Sequence, residues 1–551
     1  MLAAQISTVP PAFPASIPEC NGKVRGVGGG VSVPANRMPA HPEMVIHHGA
    51  RGRIDWPLVF LLLGAATYLY FNLFSPSHTP ILLGGDQVYF WTYAERMMDG
   101  ERIYRDFFQF TPPGTDLLYL GLFKLFGPSV WVTNAMVLAL GVALCWLCFA
   151  LAGEIMGRRS AMLATIFFLV IVYGKLLNGT HHWFSVLAIM GAMKIHIGKA
   201  SAARTLGAGA LLGLASFFTQ THGAVALLAF ILFLALTWWR KKEPWVDLLR
   251  NEGLLLLGFT VALLLLSAHF IAAIGFRQLC YYQVTFVRQY IVHASQGVYL
   301  GLPERLSWHS LPRLCQYLVV YILLLIIYPL TLWRCWWEGH NTSFPWERIT
   351  LLSMVGVLLL VEVAFSMNWL RVFAISFVGI LLLFWNADQV GMMRRYTVVL
   401  LWVGFACIAF RQTRAVYAHE RLIMRLPGGD VAITPQAYEK LHWLTLHTTP
   451  GQFFFQADWP GMYLPLKLRN PTFVDAISPG EETRPEDIAA VIQQLEGKRV
   501  QYVLWRARLD SAGSSKDHLL PFAPISTSNT PRFMLLPTAI RSGKGMSSAP
   551  P

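Results

Sequence analysis

The sequence has 551 residues, of which 55% are apolar and only 13% are charged, and its formal net charge is +14. Soluble domains carry roughly 25% charged residues, so this composition excludes a water-soluble globular protein, and 7 cysteines are too few for a disulfide scaffold. The basic excess fits the inside loops of a membrane protein as well as a nucleic-acid surface, and its distribution along the chain favours the membrane.

The N-terminal region has the composition of a disordered tail. Residues 1–50 are rich in Pro, Gly and Ala and contain no apolar run long enough for a signal peptide, so we expect an uncleaved tail. The first apolar block, Trp56 to Phe74, follows Arg51 and Arg53. It is long enough to cross a bilayer core of about 30 Å. The basic residues before it predict that the N-terminus is cytoplasmic.

Ten further apolar blocks follow, and together they predict an α-helical polytopic membrane protein with about eleven transmembrane helices. Their approximate bounds are 129–155, 160–177, 183–198, 205–219, 223–239, 252–275, 314–333, 349–367, 370–386 and 396–410. With a cytoplasmic N-terminus, every connection predicted to lie inside carries Arg or Lys, as the positive-inside rule requires. Nucleic acid is therefore not needed to explain the charge, and the C-terminus is predicted to lie outside.

Residues 113–127 are apolar but too short for a span, and they carry Asp116 and Lys124. Counting them as a span would place Arg158-Arg159 outside, so we predict an interfacial helix on the outer face.

The C-terminal region, residues 411–551, predicts a small outer α/β domain. Thr434-Pro435 is a helix N-cap and first turn, and a strand follows in the segment PGQFFFQ. A second helix begins at Pro485 and ends at Gly497, before a strand over 500–505, so a modest parallel sheet is expected. The end of the chain, after about residue 509, is expected to be loosely ordered. The whole chain is thus divided into a tail (1–50), a transmembrane module (51–410) and this outer domain.

The outer loop over 75–128 carries the residues most typical of a reaction site. Gly84-Gly85 permits a tight turn, and Asp86 stands at the start of a helix predicted to continue to Gly100. Tyr89 and Tyr93 fall on one face of that helix. A second carboxylate, Asp106, follows closely, so two acids are predicted at the outer membrane surface among aromatic side chains that suit sugar rings.

The order of these features resembles the C-type (GT-C) glycosyltransferases, which include bacterial relatives of protein O-mannosyltransferases and aminoarabinose transferases. The resemblance covers roughly residues 55–410. Asp86 matches the position of the family's general base. A second acidic element matches Tyr104-Arg105-Asp106-Phe107, and the proline turn matches Pro112-Pro113-Gly114. The chain departs from many relatives in having Gln87 in place of Glu, and Thr111 and Thr219 in place of Lys.

The resemblance implies a glycosyltransferase that uses a polyprenyl-phosphate sugar as donor and transfers one sugar to a hydroxyl or amine of an unknown envelope acceptor, with inversion. It implies catalytic roles for Asp86 and Asp106, and a bacterial inner-membrane location. Cations or hydrogen-bond donors near the outer ends of the spans would hold the leaving phosphate. The candidates for binding substrate are Tyr89, Tyr93, Tyr104, Arg105, Lys175, His181, His182, Gln220, His222 and Arg371.

Several of these residues have structural interpretations that the sequence leaves open. Asp86 can act only as an N-cap, Asp106 can form an ion pair with Arg102 or Arg105, and Arg371 can extend to the interface. Glu362, inside a predicted span, either lines a cavity or packs against a polar neighbour.

The alternative function is a multi-span transporter or lipid flippase without glycosyl transfer. Few charges within the spans and the clustering of the acids outside argue against it. No cofactor is required, and a divalent metal is compatible with the chemistry, although no ligand cluster of convincing spacing is present.

Overall fold

The structure is a computed structural model, and it describes residues 55–198, 201–291, 324–338, 344–364, 369–457, 459–477, 485–505 and 532–535. The predicted tail over 1–50, the beginning of the span predicted over 314–333, most of the loop predicted over 276–313 and most of the chain after 509 lie outside the described residues.

Helices make up most of the described chain. The first ten are α1 (Trp56–Leu73), α2 (Gln87–Met98), α3 (Gly114–Phe126), α4 (Val130–Ala152), α5 (Arg158–Phe167), α6 (His181–Ile197), α7 (Ala202–Phe218), α8 (Gln220–Lys241), α9 (Trp245–Ile274) and α10 (Phe276–Cys280). The chain continues from α5 into a π-helix and a 3-10 turn, Phe168–Val172 and Tyr173–Lys175, and from α10 into a second π-helix, Tyr281–Ile291. The remaining helices are α11 (Leu324–Glu338), α12 (Trp346–Ala364), α13 (Trp369–Ile375), α14 (Phe377–Gln389), α15 (Arg395–His419), α16 (Pro435–His447), α17 (Tyr463–Leu466) and α18 (Pro485–Gly497).

Five of these helices are long and apolar enough to cross a membrane, namely α1, α4, α8, α9 and α15, and α7 and α14 are shorter apolar helices. The protein is therefore a multi-pass α-helical membrane protein. The count of eleven spans remains a prediction, as does the orientation of the termini. The segment predicted to be interfacial forms α3, which coincides with the predicted bounds to within one residue.

The span predicted over 370–386 is divided into two helices, α13 and α14, which meet at Ser376. The Ser376 hydroxyl donates a hydrogen bond to the Phe373 carbonyl at 2.8 Å. Serine side chains that bond back to the preceding turn bend helices, which explains the break. As a result, Arg371 lies on a short helix of 7 residues rather than within a continuous span.

Helices α7 and α9 approach each other closely because each helix has a glycine that faces the backbone of the other helix. A Cβ atom on Gly209 would lie 2.1 Å from the Leu255 carbonyl oxygen, and one on Gly258 would lie 2.2 Å from the Leu206 carbonyl oxygen. Gly213 comes four residues after Gly209, so the two form the small-residue spacing typical of tightly packed transmembrane helices.

Gly209→Ala is expected to lower the melting temperature of the detergent-solubilised protein, because the added methyl group forces α7 and α9 apart at a cost of about 1–3 kcal/mol. Gly207→Ala is the matched control. It lies on the same helix with nothing within 4 Å of the added Cβ, so helix propensity is expected to leave stability unchanged or slightly increased. Equal melting temperatures of the two variants would contradict the close-packing interpretation.

The described part of the C-terminal region contains five short strands, β1 (Leu422–Leu426), β2 (Gly429–Ile433), β3 (Phe455–Gln456), β4 (Tyr502–Trp505) and β5 (Arg532–Leu535). β1 and β2 form an antiparallel hairpin that was not predicted from the sequence. β3 pairs in parallel with β4, with α18 between them in sequence, and β4 pairs antiparallel with β5. α16 begins as predicted, with the Thr434 hydroxyl accepting from the Ala437 amide at 3.1 Å.

Helix α2 is fixed to the C-terminal region by an ion-pair group that we call the Arg96 cluster, made of Arg96, Glu101, Asn470 and Asp475. Arg96 donates through Nη1 to the Asp475 carboxylate at 2.6 Å and through Nε to Glu101 at 2.5 Å. Asn470 donates to the same Asp475 oxygen at 2.7 Å. The side chains of Arg96 and Asp475 are 7% and 1% exposed, so the pair lies in the protein interior.

Candidate active site

Asp86 lies immediately before α2, after a turn in which Gly85 adopts a φ of +81°. Its half-buried carboxylate makes no capping hydrogen bond to the helix amides, so it does not serve as the N-cap that the sequence left open. The first turn of α2 thus presents a carboxylate that is not used by its own helix.

Arg371, on α13, is the cation whose charge acts on Asp86. Burial raises the pKa of Asp86 above its usual value, and the Arg371 guanidinium opposes that shift in part. A carboxylate with a raised pKa is a better proton acceptor near neutral pH than an ordinary surface aspartate.

Three histidines lie beside this pair. His181 and His182 begin α6, and their ring centroids are 4.0 Å apart; the rings of His182 and His222, on α8, are 5.2 Å apart. The charge of Arg371 acts on all three. Asp86, His181, His182, His222 and Arg371, which we call the Asp86 cluster, were predicted as site residues from distant parts of the sequence, and the fold brings them together.

Gln87 connects α2 to the histidine-bearing helix. Its side chain is fully buried, and its carbonyl oxygen accepts a hydrogen bond from the Gly179 amide at 3.0 Å. Gly179 lies two residues before His181, so Gln87 holds the loop that positions α6. The resemblance placed a Glu at this position in many relatives, and here a neutral amide does the holding.

Two residues of this region were not predicted as site residues. Glu362, near the end of α12, lies with its carboxylate 3.4 Å from His222 Nε2, and its charge also acts on Arg371. Ser185, on α6, is within 2.9 Å of His222 Nδ1. The sequence indicated only that Glu362 needed a polar partner, and it offered no signal for Ser185.

Tyr89 and Tyr93 extend along α2 away from Asp86. The ring of Tyr89 is 5.6 Å from that of Trp459 in the C-terminal region, whereas Tyr93 is buried and stacks on Phe107 at 5.2 Å. Tyr89 is half-buried and remains a candidate for contacting substrate, while Tyr93 is mainly a packing residue.

Tyr104, Arg105 and Asp106 lie in the loop between α2 and α3. The Asp106 carboxylate accepts from the Arg102 amide at 2.8 Å and from Arg105 Nε at 3.0 Å. Burial acts to raise the pKa of Asp106, but these hydrogen bonds and charges outweigh it and hold the pKa below its usual value. Tyr104 is buried and donates to the Thr111 carbonyl at 2.8 Å. None of these interactions joins Asp106 to the Asp86 cluster. The catalytic role of Asp106 therefore stays a prediction.

Gln220 and Lys175 complete the predicted set. Gln220 donates to the Gln283 carbonyl at 2.9 Å, which ties the start of α8 to the second π-helix. Lys175 ends the 3-10 turn that follows α5 and its π-helix. There the positive charge of Arg411 repels that of Lys175.

A further carboxyl group, Asp116 on α3, was not predicted to be functional. It is completely buried, and the Gln109 side-chain amide donates to its carboxylate at 3.4 Å. Burial raises the pKa of Asp116 well above its usual value. We assign it a structural place beneath the loop that carries Tyr104.

Within the described ranges, no group of three or more His, Cys, Asp or Glu side chains is arranged to hold a metal ion. That no cofactor is required stays a prediction.

Comparisons with known proteins connect this geometry to a fold. No protein-family model matches the sequence, and no curated protein matches it significantly. The structure is similar to that of ArnT from Cupriavidus metallidurans bound to undecaprenyl phosphate, with a TM-score of 0.53 and 14% identity over 87% of this chain and 98% of that chain. The predicted resemblance to the GT-C transferases is therefore confirmed as a likeness of fold.

Two further solved structures are less similar. One is the oligosaccharyltransferase AglB from Archaeoglobus fulgidus in complex with an inhibitory peptide and a dolichol-phosphate, with a TM-score of 0.44 and 13% identity over 85% of this chain and 71% of that one. The other is the arabinofuranosyltransferase AftD from Mycobacteria, with a TM-score of 0.46 and 13% identity over 82% of this chain and 37% of that one.

Proposed function

We propose that this chain, which has the GT-C fold, is a glycosyltransferase that moves a sugar from a polyprenyl-phosphate carrier to a hydroxyl or amine of an envelope acceptor. The observation that carries the proposal is the Asp86 cluster, in which a carboxylate with a raised pKa stands beside a guanidinium and three imidazoles. The ArnT structure, solved with undecaprenyl phosphate, supports a lipid-phosphate donor for the same fold.

The proposed reaction divides the cluster into two roles. Asp86 accepts the proton of the acceptor group as its oxygen or nitrogen attacks the anomeric carbon of the sugar. The bond from that carbon to the phosphate oxygen breaks on the opposite side, and the bonding electrons leave with the polyprenyl phosphate, so the anomeric configuration is inverted. Arg371 stabilises the negative charge of the departing phosphate.

The histidines are suited to hold the phosphate oxygens. Nδ1 of His181 and of His182 is buried and makes no hydrogen bond to any residue that the structure describes. A buried polar atom without a partner is costly, so a ligand that supplied one would be bound more tightly.

In this proposal the transfer takes place at the outer face of a bacterial plasma membrane, with the N-terminus in the cytoplasm and the C-terminal region outside.

The direct test uses membranes with and without the protein and a labelled polyprenyl-phosphate sugar. The protein should consume the labelled donor and release polyprenyl phosphate, with the label appearing on an acceptor. Movement of intact donor across the membrane, without release of sugar, would contradict the proposal and favour a transporter.

Arg371→Ala is expected to weaken binding of undecaprenyl phosphate roughly 10-fold to 100-fold, because a hydrogen bond to a charged group contributes about 1.5–3 kcal/mol. Binding is measured with the purified protein in nanodiscs. Arg371→Lys keeps the charge but loses the forked geometry, so an intermediate loss is expected. The control is Arg277→Ala, at an exposed position on α10. Unchanged affinity in Arg371→Ala would remove Arg371 from the phosphate site.

A further inference from the structure

A buried chain of three side chains lies behind Arg371. Ser185 on α6, His222 on α8 and Glu362 on α12 contact one another in that order, with 2.9 Å between Ser185 Oγ and His222 Nδ1 and 3.4 Å between His222 Nε2 and Glu362 Oε2. Ser185 and His222 are fully buried, and the Glu362 side chain is 15% exposed. The reaction proposed above uses neither Ser185 nor Glu362.

The contacts of Ser185 bear on which nitrogen of His222 carries a proton. The Ser185 hydroxyl has one hydrogen, and it donates that hydrogen to the His182 carbonyl at 2.9 Å. With that hydrogen on the carbonyl, the same oxygen accepts from His222, and Nδ1 is then the protonated nitrogen of the imidazole.

This leaves Nε2 of His222 facing an oxygen of Glu362. If Nε2 and the carboxylate were both without a proton, two acceptors would face each other in a buried place, which is unfavourable. One additional proton, held between the two groups, resolves the conflict. With that proton the pair is neutral, and without it the pair carries one negative charge.

The charge of this pair acts directly on the phosphate-binding cation. Among the described residues, Glu362 and Asp86 are carboxylates whose charges act on Arg371, and His181 and His182 are titratable groups beside it. An anionic phosphate bound by Arg371 would be repelled by a negative pair at this position, and it would not be repelled by a neutral one.

We propose that His222 and Glu362 are positioning residues that couple donor binding to proton uptake. Binding of a phosphate to Arg371 is accompanied by uptake of one proton by the pair, so donor affinity falls as the pH rises. This inference rests on the proposed function, since it needs a lipid phosphate at Arg371.

The probe for the test is methyl undecaprenyl phosphate, because a phosphodiester keeps one charge over the range in which histidine titrates, between about pH 5 and about pH 8. The dissociation constant of the full-length protein in nanodiscs is measured across this range. We expect it to increase with pH, by up to about tenfold per pH unit where a whole proton is taken up. Calorimetry of wild-type protein in buffers of different ionisation enthalpy should show uptake of about one proton in the same range.

The pH dependence of probe binding in substituted proteins shows which residues take up the proton. Glu362→Gln should bind with little pH dependence, and at high pH more tightly than wild type, because the negative charge is gone. Glu362→Asp keeps the charge and should keep the slope, and Asp86→Asn should also keep it. A slope that persists in Glu362→Gln but is lost in Asp86→Asn would overturn the inference, as would a slope lost only in His181→Gln or His182→Gln.

The wild-type measurements separate this inference from the proposed function. No binding of the probe at any pH would overturn the proposed function and the inference together. Binding with the same affinity at every pH, or calorimetry without proton uptake, would overturn the inference alone. Because these two measurements use only the wild-type protein, they test the inference even if the Glu362→Gln protein fails to fold.

Discussion

Asp86→Asn is expected to reduce sugar transfer about 10²-fold to 10⁴-fold, the usual contribution of a positioned general base. Asparagine has nearly the same shape but cannot accept the proton of the acceptor group. Since the Asp86 side chain makes no capping bond to α2, the substitution removes no described contact that stabilises the fold. Transfer is measured with labelled donor at equal protein levels, and donor binding should remain.

Two further aspartate variants make this test specific. Asp99→Asn, at the exposed end of the same helix, is the matched control and should transfer at nearly the wild-type rate. Asp106→Asn tests the second acid that the sequence resemblance pointed to, and we expect a much smaller loss than for Asp86, because backbone and Arg105 hydrogen bonds already occupy that carboxylate. Near-normal transfer by Asp86→Asn would exclude Asp86 as the base.

Asp475→Ala is expected to destabilise the protein by about 3–5 kcal/mol, because it leaves Arg96 buried with only part of its counter-charge. The side chains of this pair are 7% and 1% exposed, so water cannot replace the lost carboxylate. The measurement is the melting temperature in detergent, followed by the protease sensitivity of the C-terminal region.

The matched control is Asp430→Ala, which breaks an exposed ion pair with Arg425. The side chain of Asp430 is 48% exposed and that of Arg425 is 90% exposed. Exposed pairs contribute about 0–1 kcal/mol, so this variant should melt close to wild type. The double variant Arg96→Met with Asp475→Leu should recover part of the loss, because no charge then remains buried between these two positions. If Asp475→Ala melts like Asp430→Ala, the Arg96 cluster does not stabilise the contact between α2 and the C-terminal region.

The elements that local chemistry determines were predicted closely. Thr434-Pro435 and Gly497 mark helix ends by capping and turn chemistry, and α16 and α18 begin and end where these residues predict. The break at Ser376 was missed, because a bend caused by a hydroxyl is not visible in an apolar run that continues on both sides. The β1–β2 hairpin was missed too, although Pro427-Gly428 between two apolar segments is a turn signal.

The candidate site was predictable in its members but not in its contacts. The sequence places His181, His182, His222 and Arg371 near the same predicted ends of spans, which indicates their depth in the membrane. Depth does not indicate which side of each helix faces the others, so the Ser185–His222–Glu362 chain could not be found from the sequence. Asp106 is the reverse case, because its motif suggested a role beside Asp86 and its local hydrogen bonds hold it in a separate loop.

The Arg96 cluster has a consequence for the order in which the chain matures. Arg96 and Asp475 are separated by 379 residues. At synthesis rates of about 5–20 residues per second, the ribosome needs on the order of 20–75 s to make the second after the first. Throughout this interval the half-made chain lacks the ion pair that fixes α2, the helix that follows Asp86, to the C-terminal region, so the nascent protein is expected to remain inactive until its last third has been delivered.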